Sequence, residues 1–196
     1  LHTYDSSVIP KYFGMEIFSY ANIPYRIKDF NSIMDNPKQT IDFNFELNIK
    51  TSQIVEKFGT DGKLIFDTDK EIYHVNMCEK LLVLALAKIS NFIPGGGIWM
   101  NTQRPEWNDA NNALVGNGLS MVTLYYLRRY IIFFREILLN IGVDTLDISN
   151  EVVDWFERLA SILTSDKQTS YLKAKDPEIR MKIIRQLGEA FSDYRE

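Results

Sequence analysis

Two long apolar segments constrain the fold of this 196-residue chain more than any other feature. In residues 76–93, and again in residues 121–140, apolar side chains recur at helical spacing on almost every face. A helix that is apolar nearly all round is normally covered by other elements. The sequence therefore predicts a mainly α-helical domain in which both of these helices are buried. Ser120 is the expected N-cap of the second one.

Two more helices are predicted in the last third of the chain. The second apolar segment ends at Gly142, because glycine is a common helix terminator. A third helix is expected over residues 149–163, and a fourth over residues 176–194, where Pro177 suits the first helical position. The apolar side of the third helix is read as Val152, Val153, Phe156, Leu159 and Leu163. Helices joined in this order favour antiparallel helical hairpins.

The first forty residues lack a sustained helical or strand period. They are rich in aromatic side chains and are interrupted by Pro10, Pro24 and Pro37. Proline removes a backbone donor and breaks regular structure. We therefore expect residues 1–40 to form an extended arm or an interdomain connection that packs on another part of the protein.

The remaining residues, 41–196, are assigned to one helical domain, but its first part is ambiguous. Residues 41–58 fit either a helix ending at Gly59 or a strand with alternating apolar side chains, and both alternatives stay open. Residues 63–66 and 71–75 suit a short β-hairpin. The helices of residues 76–196 are expected to surround a loop at 94–120.

Composition excludes several kinds of partner. The formal net charge of −4 gives no electrostatic reason to bind nucleic acid or an anionic membrane surface. Cys78 is the only cysteine, so no internal disulfide can form, and with two histidines we expect no metal site. A reducing compartment, and hence the cytoplasm, is favoured. The chain begins at Leu1, which suggests a piece of a longer protein whose remainder is a partner.

The connection between the two apolar helices concentrates polar and aromatic side chains. Residues 95–112 hold three successive glycines, two tryptophans, several amide side chains, an arginine and two carboxylates. Connections between helices are usually short, and much longer ones tend to be functional or disordered. Disorder is disfavoured because Ile98, Trp99 and Trp107 need burial. We therefore expect the chemistry of the protein in this loop.

These side chains match the needs of carbohydrate recognition and cleavage. Amide and carboxylate groups bind sugar hydroxyls, and flat aromatic rings pack against sugar C–H faces. Cleavage also needs a carboxylic acid to protonate the leaving oxygen, a role open to Glu106 or Asp109. Residues three apart on a helical turn have Cβ atoms about 5–6 Å apart on one side, whereas an inverting hydrolase separates its carboxyl groups by about 6.5–9.5 Å. One of the two is therefore expected to be the acid, and the base or nucleophile must come from elsewhere.

The sequence Glu106-Trp107-Asn108-Asp109 resembles the sugar-site motif of the (α/α)6-barrel glycoside phosphorylases and hydrolases of the cellobiose phosphorylase type. The resemblance covers about residues 95–129. It implies Asp109 as first choice for the catalytic acid and Glu106 as second, with inorganic phosphate as co-substrate in phosphorolysis and no cofactor. The motif begins with Glu where that family more usually has Asp. A barrel of twelve helices does not fit in 196 residues, so the resemblance implies part of a barrel.

The expected contacts to an oligosaccharide or glycoside surround these acids. Trp107 is assigned to a sugar ring face, and the other substrate-binding candidates are Trp99, Gln103, Arg104, Asn108, Asn111 and Asn112. Trp99 equally suits a packing role, and Arg104 equally suits a salt bridge to one of the acids. The alternative function is a non-catalytic helical module that binds carbohydrate or protein. Clustered oxygens would also suit calcium, although their spacing differs from the known twelve-residue loop.

Overall fold

The computed structural model describes residues 4–101, 113–142, 144–164 and 176–196. This part of the chain is mainly helical, which confirms the predicted class. The α-helices, in chain order, are α1 Val8–Gly14, α2 Phe30–Asp35, α3 Phe45–Phe58, α4 Met77–Ile89, α5 Met121–Asn140, α6 Asn150–Thr164 and α7 Pro177–Arg195. The four helices predicted from periodicity correspond to α4, α5, α6 and α7.

Short antiparallel strand pairs join segments that lie far apart in the sequence. The pairs are β1 Phe18–Ser19 with β4 His74–Val75, β2 Tyr25–Ile27 with β3 Ile41–Phe43, and β5 Ile98–Trp99 with β6 Leu119–Ser120. Ladders of two or three residues are too short to be stable alone. They act as clasps on the helical framework.

Side-chain caps define where the helices on either side of the predicted loop begin. The Asn76 side chain accepts a hydrogen bond of 3.0 Å from the backbone N–H of Glu79 at the start of α4. The Ser120 hydroxyl accepts one of 3.1 Å from the backbone N–H of Thr123 at the start of α5. Each cap satisfies an amide that has no partner within its helix. The predicted cap at Ser120 is confirmed.

Both alternatives for residues 41–58 are right, one after the other. β3 takes only the first two residues of the alternating pattern, Ile41 and Phe43, and the rest of the pattern lies in α3. Asn44 caps α3 by accepting a hydrogen bond of 2.9 Å from the backbone N–H of Leu47. The next predicted feature, the hairpin, is present as two backbone hydrogen bonds. The N–H of Tyr73 donates to the carbonyl of Ile65, and that of Asp67 donates to the carbonyl of Glu71, each at 2.9 Å.

The prediction of an extended arm over residues 1–40 misses two short helices. α1 buries Phe13 completely against Cys78 and Phe134, and α2 packs on α7. The backbone N–H of Phe30, the first residue of α2, donates to the Ser192 hydroxyl at 2.8 Å. These helices are too short to show a clear period in the sequence, and tertiary burial stabilises them. The arm therefore contributes to the core.

The main core lies where α4, α6 and α7 meet. Its centre is Trp155, which stacks on Phe191 with ring centroids 5.1 Å apart and on Tyr194 with centroids 4.2 Å apart. The indole N–H of Trp155 donates to the Ser90 hydroxyl at 3.1 Å. The other buried members of this core are Leu86, Val152, Leu159, Ile183, Leu187 and Ala190. The face predicted for α6 is thus partly wrong: Trp155 is buried where Val153 and Phe156 were expected.

The predicted burial of α5 is also wrong. Within this helix only Leu127 and Phe134 are buried, while several large apolar side chains on its other faces are exposed to solvent. The rest of the fold covers a narrow stripe of α5. Within the described ranges, no helix combines the length and apolar character that crossing a membrane requires.

Candidate functional site

The predicted functional loop has a closed base in the described residues on either side of it. The β5–β6 pair brings Ile98 opposite Ser120 and Trp99 opposite Leu119. The ladder continues where the backbone N–H of Met100 donates to the carbonyl of Gly118 at 3.0 Å. Ile98 itself is buried between α4 and α5, in contact with Ala85 and Leu127. The two ends of the loop are therefore held together and fixed to both flanking helices.

Glycine makes this base possible at two points. Gly95 has a φ of +71°, a left-handed conformation that favours glycine. A Cβ atom on Gly97 would lie 3.1 Å from the carbonyl oxygen of Ser120, closer than an ordinary contact. The expectation that the glycine run turns sharply and allows close backbone approach is confirmed.

The turn at residues 116–118 closes the other side of the base. Gly116 has a φ of +80°, and its backbone N–H donates to the carbonyl of Met100 at 2.7 Å. The N–H groups of Asn117 and Gly118 both donate to the carbonyl of Leu114, at 3.1 and 2.6 Å. Because the backbone N–H groups of residues 116–118 all donate to carbonyls of this chain, the segment is a turn and not an anion-binding loop.

Trp99 anchors the base of the loop. Its side chain is half-buried, and its indole N–H donates to the carbonyl of Gly116 at 3.0 Å across the clasp. A buried indole normally finds such a partner. This contact supports the packing role that the sequence left open. A contact between Trp99 and a sugar stays a prediction.

Asn101 is a second anchor, which sequence reasoning did not single out. It is buried, and its side-chain amide donates to the Asn91 side-chain oxygen at 2.6 Å. Asn91 in turn donates to the carbonyl of Ala87 at 2.9 Å, at the end of α4. The signal available in the sequence was only an asparagine at each end of the glycine run. The pair ties the start of the loop to α4.

The remaining predicted site residues lie outside the described residues. They are Gln103, Arg104, Glu106, Trp107, Asn108, Asp109, Asn111 and Asn112. Their assignments as catalytic acids or substrate ligands stay predictions. The described structure contributes the platform on which both ends of residues 102–112 are mounted.

A buried carboxylate forms a separate polar centre. Glu79 of α4 is 2% exposed, and its side chain accepts hydrogen bonds from the Tyr20 hydroxyl at 3.0 Å, the Ser149 backbone N–H at 2.8 Å and the Ser149 hydroxyl at 2.7 Å. Burial, together with the charge of Glu79, raises the pKa of Tyr20 above its ordinary range, so its hydroxyl stays a donor. Tyr73 joins the cluster through a 2.6 Å hydrogen bond between its hydroxyl and that of Ser149.

The surroundings of Glu79 favour a structural role. Its oxygens receive three donors from this chain, which satisfies a buried carboxylate without a metal or a ligand. Among the described residues, no group of three or more histidine, cysteine, aspartate or glutamate side chains is arranged to hold a metal ion. A cavity of about 370 Å³ is lined by Asn76 and Asp147 but not by Glu79. The cluster joins the N-terminal segment, α4 and the start of α6.

No protein-family model and no curated protein matches this chain. The resemblance at residues 106–109 therefore stays a hypothesis based on those four residues.

Proposed function

We propose that this chain is part of a carbohydrate-active enzyme that cleaves glycosidic bonds by phosphorolysis or hydrolysis. The observation that supports the proposal most directly is the closed base of the loop between α4 and α5. The ladder from Ile98 to Met100 and the indole of Trp99 hold the loop at a fixed place on the helical framework. Loops mounted on rigid elements are the usual carriers of binding and catalytic side chains.

The chemistry of the proposed site comes from the side chains that this platform carries. Asp109 is the proposed general acid, with Glu106 as the second choice, and Trp107 packs against a sugar ring. Arg104 is a ligand for phosphate or for a sugar hydroxyl. Inorganic phosphate or water attacks the anomeric carbon, and the acid gives its proton to the leaving oxygen. The helices belong to part of an (α/α)6 barrel, whose remaining helices are the main partner.

Direct assays of binding and cleavage test this function. Short glucans and related disaccharides are titrated into the chain by calorimetry, with and without phosphate, and release of sugar 1-phosphate or reducing sugar is followed in parallel. We expect binding that Trp107→Ala abolishes. Phe45→Ala, a matched aromatic truncation at an exposed position on α3, is expected to leave binding unchanged.

The assignment of the acid is tested by replacing the Asp109 carboxyl group with an amide of the same shape, which cannot act as an acid. In the complete enzyme, Asp109→Asn is expected to lower turnover by roughly 100-fold or more, the range of general acid catalysis. Asp154→Asn, which neutralises an exposed carboxylate on α6, serves as the control. Normal turnover by Asp109→Asn in the complete enzyme refutes the assignment of the acid, and sugar binding that survives Trp107→Ala refutes the site.

A non-catalytic carbohydrate-binding module is the second candidate. The contacts of Trp99 and Asn101 at the loop base fit this alternative equally well, because they hold the loop and involve no catalytic group. In that case the sugar binds and Trp107→Ala removes the binding, while no cleavage occurs and Asp109→Asn binds as the unmodified chain does. The cytoplasm is the proposed compartment for either function, because Cys78 is a free thiol in a chain without a second cysteine.

A further inference from the structure

α5 carries a broad apolar surface that nothing in the described structure covers. Six of its side chains define this surface, with their exposed fractions: Val122 65%, Tyr125 64%, Tyr126 64%, Ile132 42%, Phe133 60% and Leu139 67%. At 3.6 residues per turn they fall within an arc of roughly 140°. The buried residues of the helix, Leu127 and Phe134, lie on the opposite side. We call these six residues the outer face of α5.

The size of the outer face lies at the upper end of what an isolated protein exposes. Its three aromatic rings, each more than half exposed, present roughly 350 Å². The three aliphatic side chains bring the total to on the order of 600 Å², the upper end of the largest patches on monomers. With the stems of neighbouring charged residues, it approaches the roughly 800 Å² that each partner buries in a stable protein–protein interface.

Two opposite charges divide the outer face. Arg129 and Glu136 are seven residues apart, so they lie on the same side of α5, about 10 Å from each other along the axis. That separation is too large for an ion pair between them. Among the described residues, neither makes a salt bridge. The Arg129 guanidinium lies 5.7 Å from the centroid of the Tyr126 ring, so both charges remain available to an occupant that carries one negative and one positive charge at matching positions.

A second copy of α5 meets this requirement when it runs antiparallel to the first. A two-fold axis level with Ile132 and Phe133 places Arg129 of each copy opposite Glu136 of the other, which gives two ion pairs. The same operation brings Tyr126 opposite Leu139 and Ile132 opposite Phe133. A contact of this type is self-complementary, as closed dimers require. A parallel pairing would instead set Arg129 against Arg129.

We propose that this protein forms a homodimer in which the outer faces of two α5 helices pack antiparallel, with Arg129 and Glu136 paired across the two-fold axis. The inference rests on α5 alone and is independent of the proposed function of the loop.

Sedimentation equilibrium of the full chain over a wide concentration range tests the dimer. The unmodified chain is expected to show a monomer–dimer equilibrium, and Phe133→Asp is expected to be monomeric. Phe45→Asp introduces the same charge at an exposed position on α3 and is expected to leave the dimer intact. Far-UV circular dichroism and thermal unfolding check that each variant is folded.

A charge exchange distinguishes this geometry from non-specific association. Arg129→Glu alone and Glu136→Arg alone each set like charges against each other, and each is expected to raise the dimer dissociation constant by at least roughly tenfold. The double variant restores opposite charges at both positions and is expected to recover the affinity. A chain that is monomeric at every concentration overturns the proposal, and so does a dimer that the single reversals leave unchanged or that the double variant fails to restore.

Discussion

Replacing Glu79 tests whether the buried polar cluster holds the N-terminal segment on the helical core. The side chain is 2% exposed and accepts three hydrogen bonds, from Tyr20 and from two groups of Ser149. In Glu79→Ala all three donors lose their acceptor together. A hydrogen bond to a charged group contributes about 1.5–3 kcal/mol, and the losses are not additive within one network. Part of the loss is offset because the desolvation cost of the carboxylate also disappears.

We expect Glu79→Ala to lower the free energy of unfolding by about 3–5 kcal/mol, because three donors lose their acceptor and each buried donor left without a partner costs about 1–3 kcal/mol. Glu79→Gln retains one carbonyl oxygen but points an amide at the donors, and about 2–3 kcal/mol is expected. Urea unfolding followed by far-UV circular dichroism measures these differences. Glu56→Ala, at an exposed position on α3, is the control and is expected to change stability by less than about 0.5 kcal/mol.

A double-mutant cycle separates the contact from general damage to the core. Tyr20→Phe removes one donor, and combining it with Glu79→Gln is expected to cost less than the sum of the single changes, because both act on the same hydrogen bond. Hydrogen exchange near residues 18–20 is expected to accelerate in either variant. A Glu79→Ala variant as stable as the Glu56→Ala control would show that the cluster contributes nothing, and would refute this account of how the N-terminal segment is held.

Two further predictions concern the loop base and the buried thiol. Gly116→Ala is expected to cost about 2–4 kcal/mol in urea unfolding, because a non-glycine residue is strained at φ +80° and its Cβ atom would overlap the carbonyl of Pro37; Gly14→Ala, with nothing near the added atom, is the control. Burial, and then the charge of Glu79, raises the pKa of Cys78 from 9.0 to about 11. As pH rises, the unfolded chain therefore loses the thiol proton before the folded chain does, so the free energy of unfolding is expected to fall between about pH 9 and 11. Urea unfolding at several pH values measures this fall, and Cys78→Ala is expected to reduce it.

The sequence was sufficient for α4, α5, α6 and α7 because the signals of these helices are local. Apolar periodicity over fifteen or more residues locates α5, and a side-chain cap at Ser120 fixes its first turn. The glycine run before Ile98 predicted a tight turn for a similar reason, since only the backbone conformation of a few residues is involved. The short helices α1 and α2 were missed because they depend on burial of Phe13 and Phe30 by distant parts of the chain.

The candidate site was only partly predictable from the sequence. A dense group of polar and aromatic residues marks the loop, and the structure adds the β5–β6 strand pair at its base. Asn101 and Asn91 could not be paired in advance, because their 2.6 Å hydrogen bond follows from how the glycine turn brings the two segments together. The sequence was compatible with either a sugar contact or a packing role for Trp99. Its hydrogen bond to the carbonyl of Gly116 supports the packing role.

The errors in α6 and α5 share one physical cause. A helical wheel shows which side chains lie together but not which side meets a neighbour, and several apolar arcs on one helix satisfy the same pattern. In α6 the arc centred on Trp155 is buried because Phe191 and Tyr194 of α7 stack on its ring, and Phe156 on the adjoining arc stays 47% exposed. In α5 the prediction that every apolar side chain is buried requires more covering surface than the described part of this chain supplies. A helix that is apolar on all sides therefore predicts that other elements pack against it. Which of its residues contact those elements is visible only in the packed structure. In α5 the uncovered part is the outer face, which contains Arg129 and Glu136. The charge exchange at these two positions therefore tests whether a second copy of α5 covers this face.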